Sequence, residues 1–310
     1  LTATLDEIQD IEKTALNRGK WANLVMGVAG VLAAWFSRSD AMLVDGLYSA
    51  VNFFSAVVAA KVSLRVGLPP NKQRPWGYGF EETIYVTFRS LILIGILLFA
   101  FFVSGTKVLT FATGGEVPEL VFGPIAIYAV AMVLLCGGLA YSFNHAYVKS
   151  GRSSALLKTE SRAAIVDGAI SAGSGIALLS LPFLAGTPLE PIVPVGDAIV
   201  VVVLVSIIIW QPFSMFRSAI GELAGDSAPN KTVHQVMQVA ETQADTSGYS
   251  VLRVVAQRAG RAHIVVVYLN TNHAVFPRQI DEYRNKLSRI LEDKIGPVQL
   301  EIVLTENTVI

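Results

Sequence analysis

The sequence predicts an all-α membrane domain of six transmembrane helices followed by a small cytoplasmic α+β domain of ferredoxin-like αββαβ type. Three observations lead there. Of 310 residues, 53% are hydrophobic and 15% charged, against about 25% charged in an ordinary soluble domain, and mean hydropathy is +0.53. The charges crowd into residues 219–310, whereas residues 20–217 hold long apolar runs. The tail then alternates between helical and strand patterns.

A bilayer span needs about 20 mostly apolar residues. Six stretches qualify: 20–37, 41–66, 83–106, 120–146, 156–183 and 195–215. Runs such as SLILIGILLFAFFV and DAIVVVVLVSIIIW lack the polar stripe that a soluble helical bundle requires. Gly27, Gly30, Gly137, Gly138, Gly168, Gly173 and Gly175 are small residues of the kind that let spans approach closely. Basic residues collect on one side: Lys13, Arg18 and Lys20; Lys61, Arg65, Lys72 and Arg74; Lys149, Arg152 and Lys158; and Arg217. The other side has Arg38 and Lys107 beside Asp40, Glu116, Glu119, Glu190 and Asp197. Positive residues mark the cytoplasmic side, so both termini are expected there, with the bacterial inner (plasma) membrane as the location. The N-terminus is polar and of mixed charge, so it reads as a short cytoplasmic helix and not as a cleavable signal.

The expected boundary falls between residues 1–218 and 219–310. Residues 231–245 read as an amphipathic helix, 250–258 and 262–269 as strands around an Ala259-Gly260 turn, 276–294 as a second helix and 298–305 as a third strand. This order fits a small α+β layer.

Several function classes drop out. The 24 basic and 24 acidic residues balance, so a nucleic-acid partner is not expected. Cys136 is the sole cysteine, which excludes a disulfide framework or a Cys-based zinc site. No nucleophile–base set, phosphate loop or HExxH motif is present, so no enzyme is expected.

Ionisable residues inside spans are costly and therefore functional candidates: Asp45, Arg89, Glu160 and Asp167. On the second span Asp45, Tyr48, Ser49 and Asn52 share one face at i, i+3, i+4, i+7 spacing, as Glu160, Ala163, Ala164 and Asp167 do on the fifth. If these faces pack antiparallel, Tyr48 lies level with Asp167 and Asn52 with Ala163, giving a column of oxygen ligands suited to hard or borderline divalent cations. Ser49, a candidate for the ion or proton pathway, fits plain interhelical hydrogen bonding better. Arg89 sits about eight residues past the polar turn, roughly 12 Å along the helix, which is far for snorkelling. Asp45, Asp167 and Glu82 are its alternative partners.

Four segments carry a family resemblance. VDGLYSAVNFFSAVVA resembles the second helix of cation diffusion facilitator transporters, roughly ADGLHSLVDLLSSLVV. LKTESRAAIVDGAISAGSG resembles their fifth, roughly LKADALHWLSDVLSSLGV. RPWGYGFEE resembles HPFGHGKAE, and GELAGDSAPN resembles the hinge into the cytoplasmic domain. The resemblance covers nearly the whole chain, in the family's linear order. It implies a homodimer that exports a divalent cation (manganese, iron, zinc or cobalt among them) in exchange for protons, with no cofactor besides the transported ion.

Carried over by position, the membrane site reads Tyr48, Asn52, Ala163 and Asp167, of which Asp167 alone matches the usual ligand type. Arg74 and Tyr78 stand where the connecting loop of the family has histidines, and the tail strands HIVVVYL and VLTEN carry no His/Asp cluster. Zinc prefers imidazole or thiolate, so this set is expected to bind more weakly or to favour a harder ion such as manganese or magnesium. Two readings stay open: a cation transporter with an altered site, or a family member without transport that acts as scaffold or regulator, with Arg89 as the counter-charge.

Overall fold

The computed structural model describes residues 5–66, 68, 70–150, 155–184, 186–271 and 273–307. Arg152, counted above among the loop charges, lies outside them. The described residues contain six helices long and apolar enough to cross a membrane, and the chain divides into two compact units: Leu1–Val57 with Leu91–Phe213, and Val58–Ser90 with Ser214–Ile310.

The spans are α1 (Leu5–Ser37), α2 (Asp40–Val66), α3 (Gly79–Ala112), α4 (Phe122–Lys149), α5 (Ala155–Ser180) and a last span in two pieces, α6 (Gly196–Ile208) and α7 (Trp210–Ala224). Several exceed the apolar windows, because apolarity marks the bilayer and the helix continues into water. The amphipathic start of α1 is thus one helix with the first span. The last span breaks at Ile209, three residues before Pro212. Proline has no N–H for the Ile208 carbonyl, and its ring crowds that turn.

In the first unit, small residues set the packing. A Cβ on Gly46 would lie 2.7 Å from the Val31 nitrogen and 2.8 Å from the Gly30 carbonyl carbon, so α1 and α2 touch backbone to backbone. On α5, Ser161, Ala164, Gly168, Ser171 and Gly175 form one stripe at helical spacing. A Cβ on Gly168 would lie 3.0 Å from Cys136 Cβ, one on Gly175 would lie 2.6 Å from Ala129 Cβ, and Ser161 donates to the Ala140 carbonyl at 3.1 Å. These contacts run antiparallel along α4. Around them a core of Met26, Met42, Leu97, Ile125, Tyr128, Met132, Leu178, Val201 and Val205 closes. Phe99, Phe102, Ile127, Leu134 and Ile207 remain exposed, a surface suited to lipid.

The α1–α2 corner is built by side chains. Arg38 ends α1 in the left-handed region (φ 59°), a conformation that costs a non-glycine residue roughly 1–2 kcal/mol. Asp197 of α6 then caps α2. Its Oδ1 accepts from the Ser39 hydroxyl at 2.6 Å and its Oδ2 from the Asp40 N–H at 2.6 Å, while the Ala41 N–H reaches Oδ1 at 3.3 Å. Asp197 supplies acceptors that an N-cap residue ordinarily provides. Asp40 pairs with Lys107 at 2.5 Å.

In the second unit, α8 (Asn230–Ser247), β1 (Ser250–Ala259), β2 (Ala262–Asn270), α9 (Pro277–Ile295) and β3 (Val298–Leu304) follow the expected α-β-β-α-β order. The sheet order is β1-β2-β3, with β1 antiparallel and β3 parallel to β2. It is a ferredoxin-like split layer without its first strand. Val236, Ala240, Val265, Val267, Leu269, Leu287 and Leu291 form its core. Ala259 pairs with Ala262, so the hairpin turn is Gly260-Arg261, one residue later than the sequence suggests. Gly260 has φ 61°, as a two-residue hairpin turn demands.

Glu222, near the end of α7, gathers this unit. Its carboxylate accepts the Gly260 N–H at 2.6 Å and the Thr83 hydroxyl, with Arg258 at 3.9 Å. Its backbone carbonyl accepts from Gln257 at 3.1 Å. Arg261 pairs with Glu82 at 3.1 Å.

Candidate functional site: a carboxylate seam between helices

Asp45 begins the polar face of α2. Its Oδ2 accepts two hydrogen bonds, from the Tyr128 hydroxyl of α4 at 2.8 Å and from Ser171 of α5 at 3.4 Å. Three spans thus meet at one carboxylate. The contact also fixes the level of α2 against antiparallel α5: one turn on, Tyr48 stands at the height of Asp167, and a further turn on, Asn52 stands at the height of Ala163, by the rise of the helix.

Around this seam Ser49 is buried, Tyr48, Asn52 and Glu160 are half-buried, and Ala163 and Asp167 are exposed on the protomer. Asp167 lies within electrostatic reach of both Asp45 and Glu160, all three carrying the same sign of charge. Among the described residues no three His, Cys, Asp or Glu side chains converge on one point. The carboxylates are near enough to repel one another but too dispersed to share a single ion unaided. Neutral oxygens such as those of Tyr48, Ser49 and Asn52 would have to complete a coordination shell for a hard cation.

Arg89 lies in the second unit, half-buried on α3. Its candidate partner Glu82 is engaged by Arg261 at 3.1 Å. The connecting loop holds its shape without histidine. Arg74 and Arg65 flank Glu81 at 3.5 and 3.2 Å, and Asn71 donates to the Tyr78 hydroxyl oxygen at 2.7 Å.

Two residues of the seam, Tyr128 and Ser171, are absent from the sequence-derived set. A lone tyrosine in an apolar span has no periodic signal. Ser171, however, falls four residues after Asp167, on the same helical face, and the extended i, i+4 series could have found it.

Six helices long and apolar enough to cross a membrane, with a carboxylate–hydroxyl contact joining α2, α4 and α5, are the features of an integral membrane protein. The cation efflux transmembrane domain matches residues 19–224, and the chain belongs to the cation efflux family. It is 26% identical over 137 residues to the manganese efflux system protein MneS of Bacillus subtilis (strain 168), a match covering 44% of this chain and 45% of that protein. It is 23% identical over 136 residues to the manganese efflux system protein MneP of the same organism, covering 44% of this chain and 43% of that protein. The chain therefore matches just under half the length of these curated relatives.

Proposed function

We propose that this protein exports a divalent metal cation from the cytoplasm in exchange for protons, with manganese as the first candidate. The observation that carries the reading is the seam. Asp45, Glu160 and Asp167 are like-charged neighbours inside a membrane domain, where charge is tolerated mainly on ion or proton pathways. A passing dication would relieve their repulsion. The neutral oxygens that Tyr48 and Asn52 offer on α2 favour a hard ion, and the manganese efflux relatives support the same choice.

In this reading Asp167, Asn52, Tyr48 and Asp45 are the ion ligands, and Glu160 and Ser49 line the pathway. Arg89 as counter-charge belongs to the alternative reading below. The working form is a homodimer in the bacterial inner membrane with both termini in the cytoplasm, the orientation that the loop charges support.

The test is flux in proteoliposomes carrying a pH gradient, with manganese, iron, zinc, cobalt and magnesium in turn. Uptake of at least one cation, dependent on the gradient, is expected. The alternative of a membrane scaffold or regulator is favoured by the retention of Asp167 alone among the usual ligands. Silence toward the whole panel by correctly inserted protein would remove the transport reading and leave that alternative.

A further inference from the structure

Tyr128 is the most deeply buried tyrosine of the membrane unit, 4% exposed, and its hydroxyl is committed to Asp45 at 2.8 Å. The space for that hydroxyl comes from α1. A Cβ on Gly30 would lie 2.9 Å from it, so any larger residue there would push it away. Both donors to Asp45, Tyr128 and Ser171, engage the same oxygen, Oδ2. A carboxylate has two oxygens with about four acceptor directions. The short bond from Tyr128 and the longer one from Ser171 restrain the group through Oδ2 and leave Oδ1 to a third partner.

We propose that Tyr128 is a positioning residue for transport. With Ser171, it holds the Asp45 carboxylate so that Oδ1 is presented to the cation at one end of the α2–α5 seam. The inference rests on the functional reading above and assigns a role to a residue on a helix outside the α2 and α5 ligand set. A phenol donor suits the task. It is neutral, so it does not repel the dication as an arginine would. It is anchored by a buried ring, so it does not follow the ion.

The test is a cycle of variants in proteoliposomes, read as KM and kcat for manganese. Tyr128→Phe keeps the ring and removes the donor. Its KM is expected to rise by about tenfold, the size of one hydrogen bond to a charged group, with kcat changed much less. In an Asp45→Asn background the same substitution should have almost no further effect, because Tyr128 acts through Asp45. If Asp45→Asn is too slow to measure, the cycle is read as manganese binding to the detergent-solubilised protein. Ser171→Ala should show a smaller shift of the same kind, and it serves as the test if Tyr128→Phe does not fold. An unchanged KM in Tyr128→Phe, or in Ser171→Ala when that variant stands in, overturns the proposal. So does an equal loss with and without Asp45, which would make Tyr128 a packing residue. Failure of the parental protein to move any divalent cation is a different result and removes the functional reading itself.

Discussion

Gly79 and Gly260 meet so closely that neither has room for a side chain. A Cβ on Gly79 would strike the Ala259 carbonyl oxygen, and one on Gly260 would stand 2.5 Å from the Gly79 carbonyl oxygen. The hairpin turn of the tail and the first residue of α3 are therefore in backbone contact, fastened by Glu222 to Gly260 and Thr83. Gly260→Ala is expected to cost about 2–3 kcal/mol, combining left-handed backbone with overpacking. Gly248 has a similar φ of 73° but no backbone neighbour within 4 Å, so Gly248→Ala should carry the conformational part alone. Thermal unfolding of both variants in detergent checks this. Equal losses would mean that the Gly79–Gly260 contact contributes nothing.

In the proposed reading Asp167 is the anionic ligand of α5, opposite neutral oxygens on α2. Asp167→Asn is expected to abolish cation flux while leaving the protein in the membrane. Asp45→Asn and Glu160→Gln should slow flux without ending it, since each lies about two turns or fewer from the level of Asp167. Initial rates for the three variants decide the matter. A parental rate in Asp167→Asn would remove the site assignment.

Asp197 holds three donors at the start of α2. Asp197→Ala leaves the Ser39 hydroxyl and two backbone N–H groups without their acceptor, and a loss of about 2 kcal/mol or more is expected. Asp197→Asn keeps one acceptor oxygen and should retain part of the stability. Melting temperatures that follow the order parental, Asn, Ala would agree; an Ala variant as stable as the parent would not.

His263 faces Arg258 across the hairpin. Its ring titrates below the ordinary 6.5, first because burial disfavours the charged form and next because Arg258 repels it, with Glu222 opposing. The unfolded chain therefore takes up this proton at a higher pH than the folded one. The stability supplied by the neutral ring is complete above pH 6.5 and is lost as pH falls through 6.5 toward the lowered folded value. Unfolding should become easier between pH 7.5 and 5.5, by a smaller margin in His263→Gln. Identical pH slopes for parent and variant would exclude the residue as the source.

The spans were legible because 20 apolar residues in a row have few soluble explanations, and the tail was legible because its periods change cleanly from 3.6 to 2. What the windows missed was where helices continue beyond the bilayer, as α1 and α3 do, and the break at Ile209, although Pro212 announced it. Asp45 was legible as a buried charge, but its partners were not, since Tyr128 is 83 residues away and Ser171 is 126. Asp197 read as a loop charge. Its capping role depends on a meeting with Ser39 across 158 residues, which local pattern does not encode.

That distance has a consequence for biogenesis. Ribosomal synthesis delivers α1 and α2, with their glycine contact, long before α6. The corner between them nonetheless lacks its acceptor until Asp197 arrives with the final span. A chain truncated before residue 197 would leave the Asp40 and Ala41 amides to water or headgroups. The start of the last span is thus needed to finish the first turn of α2.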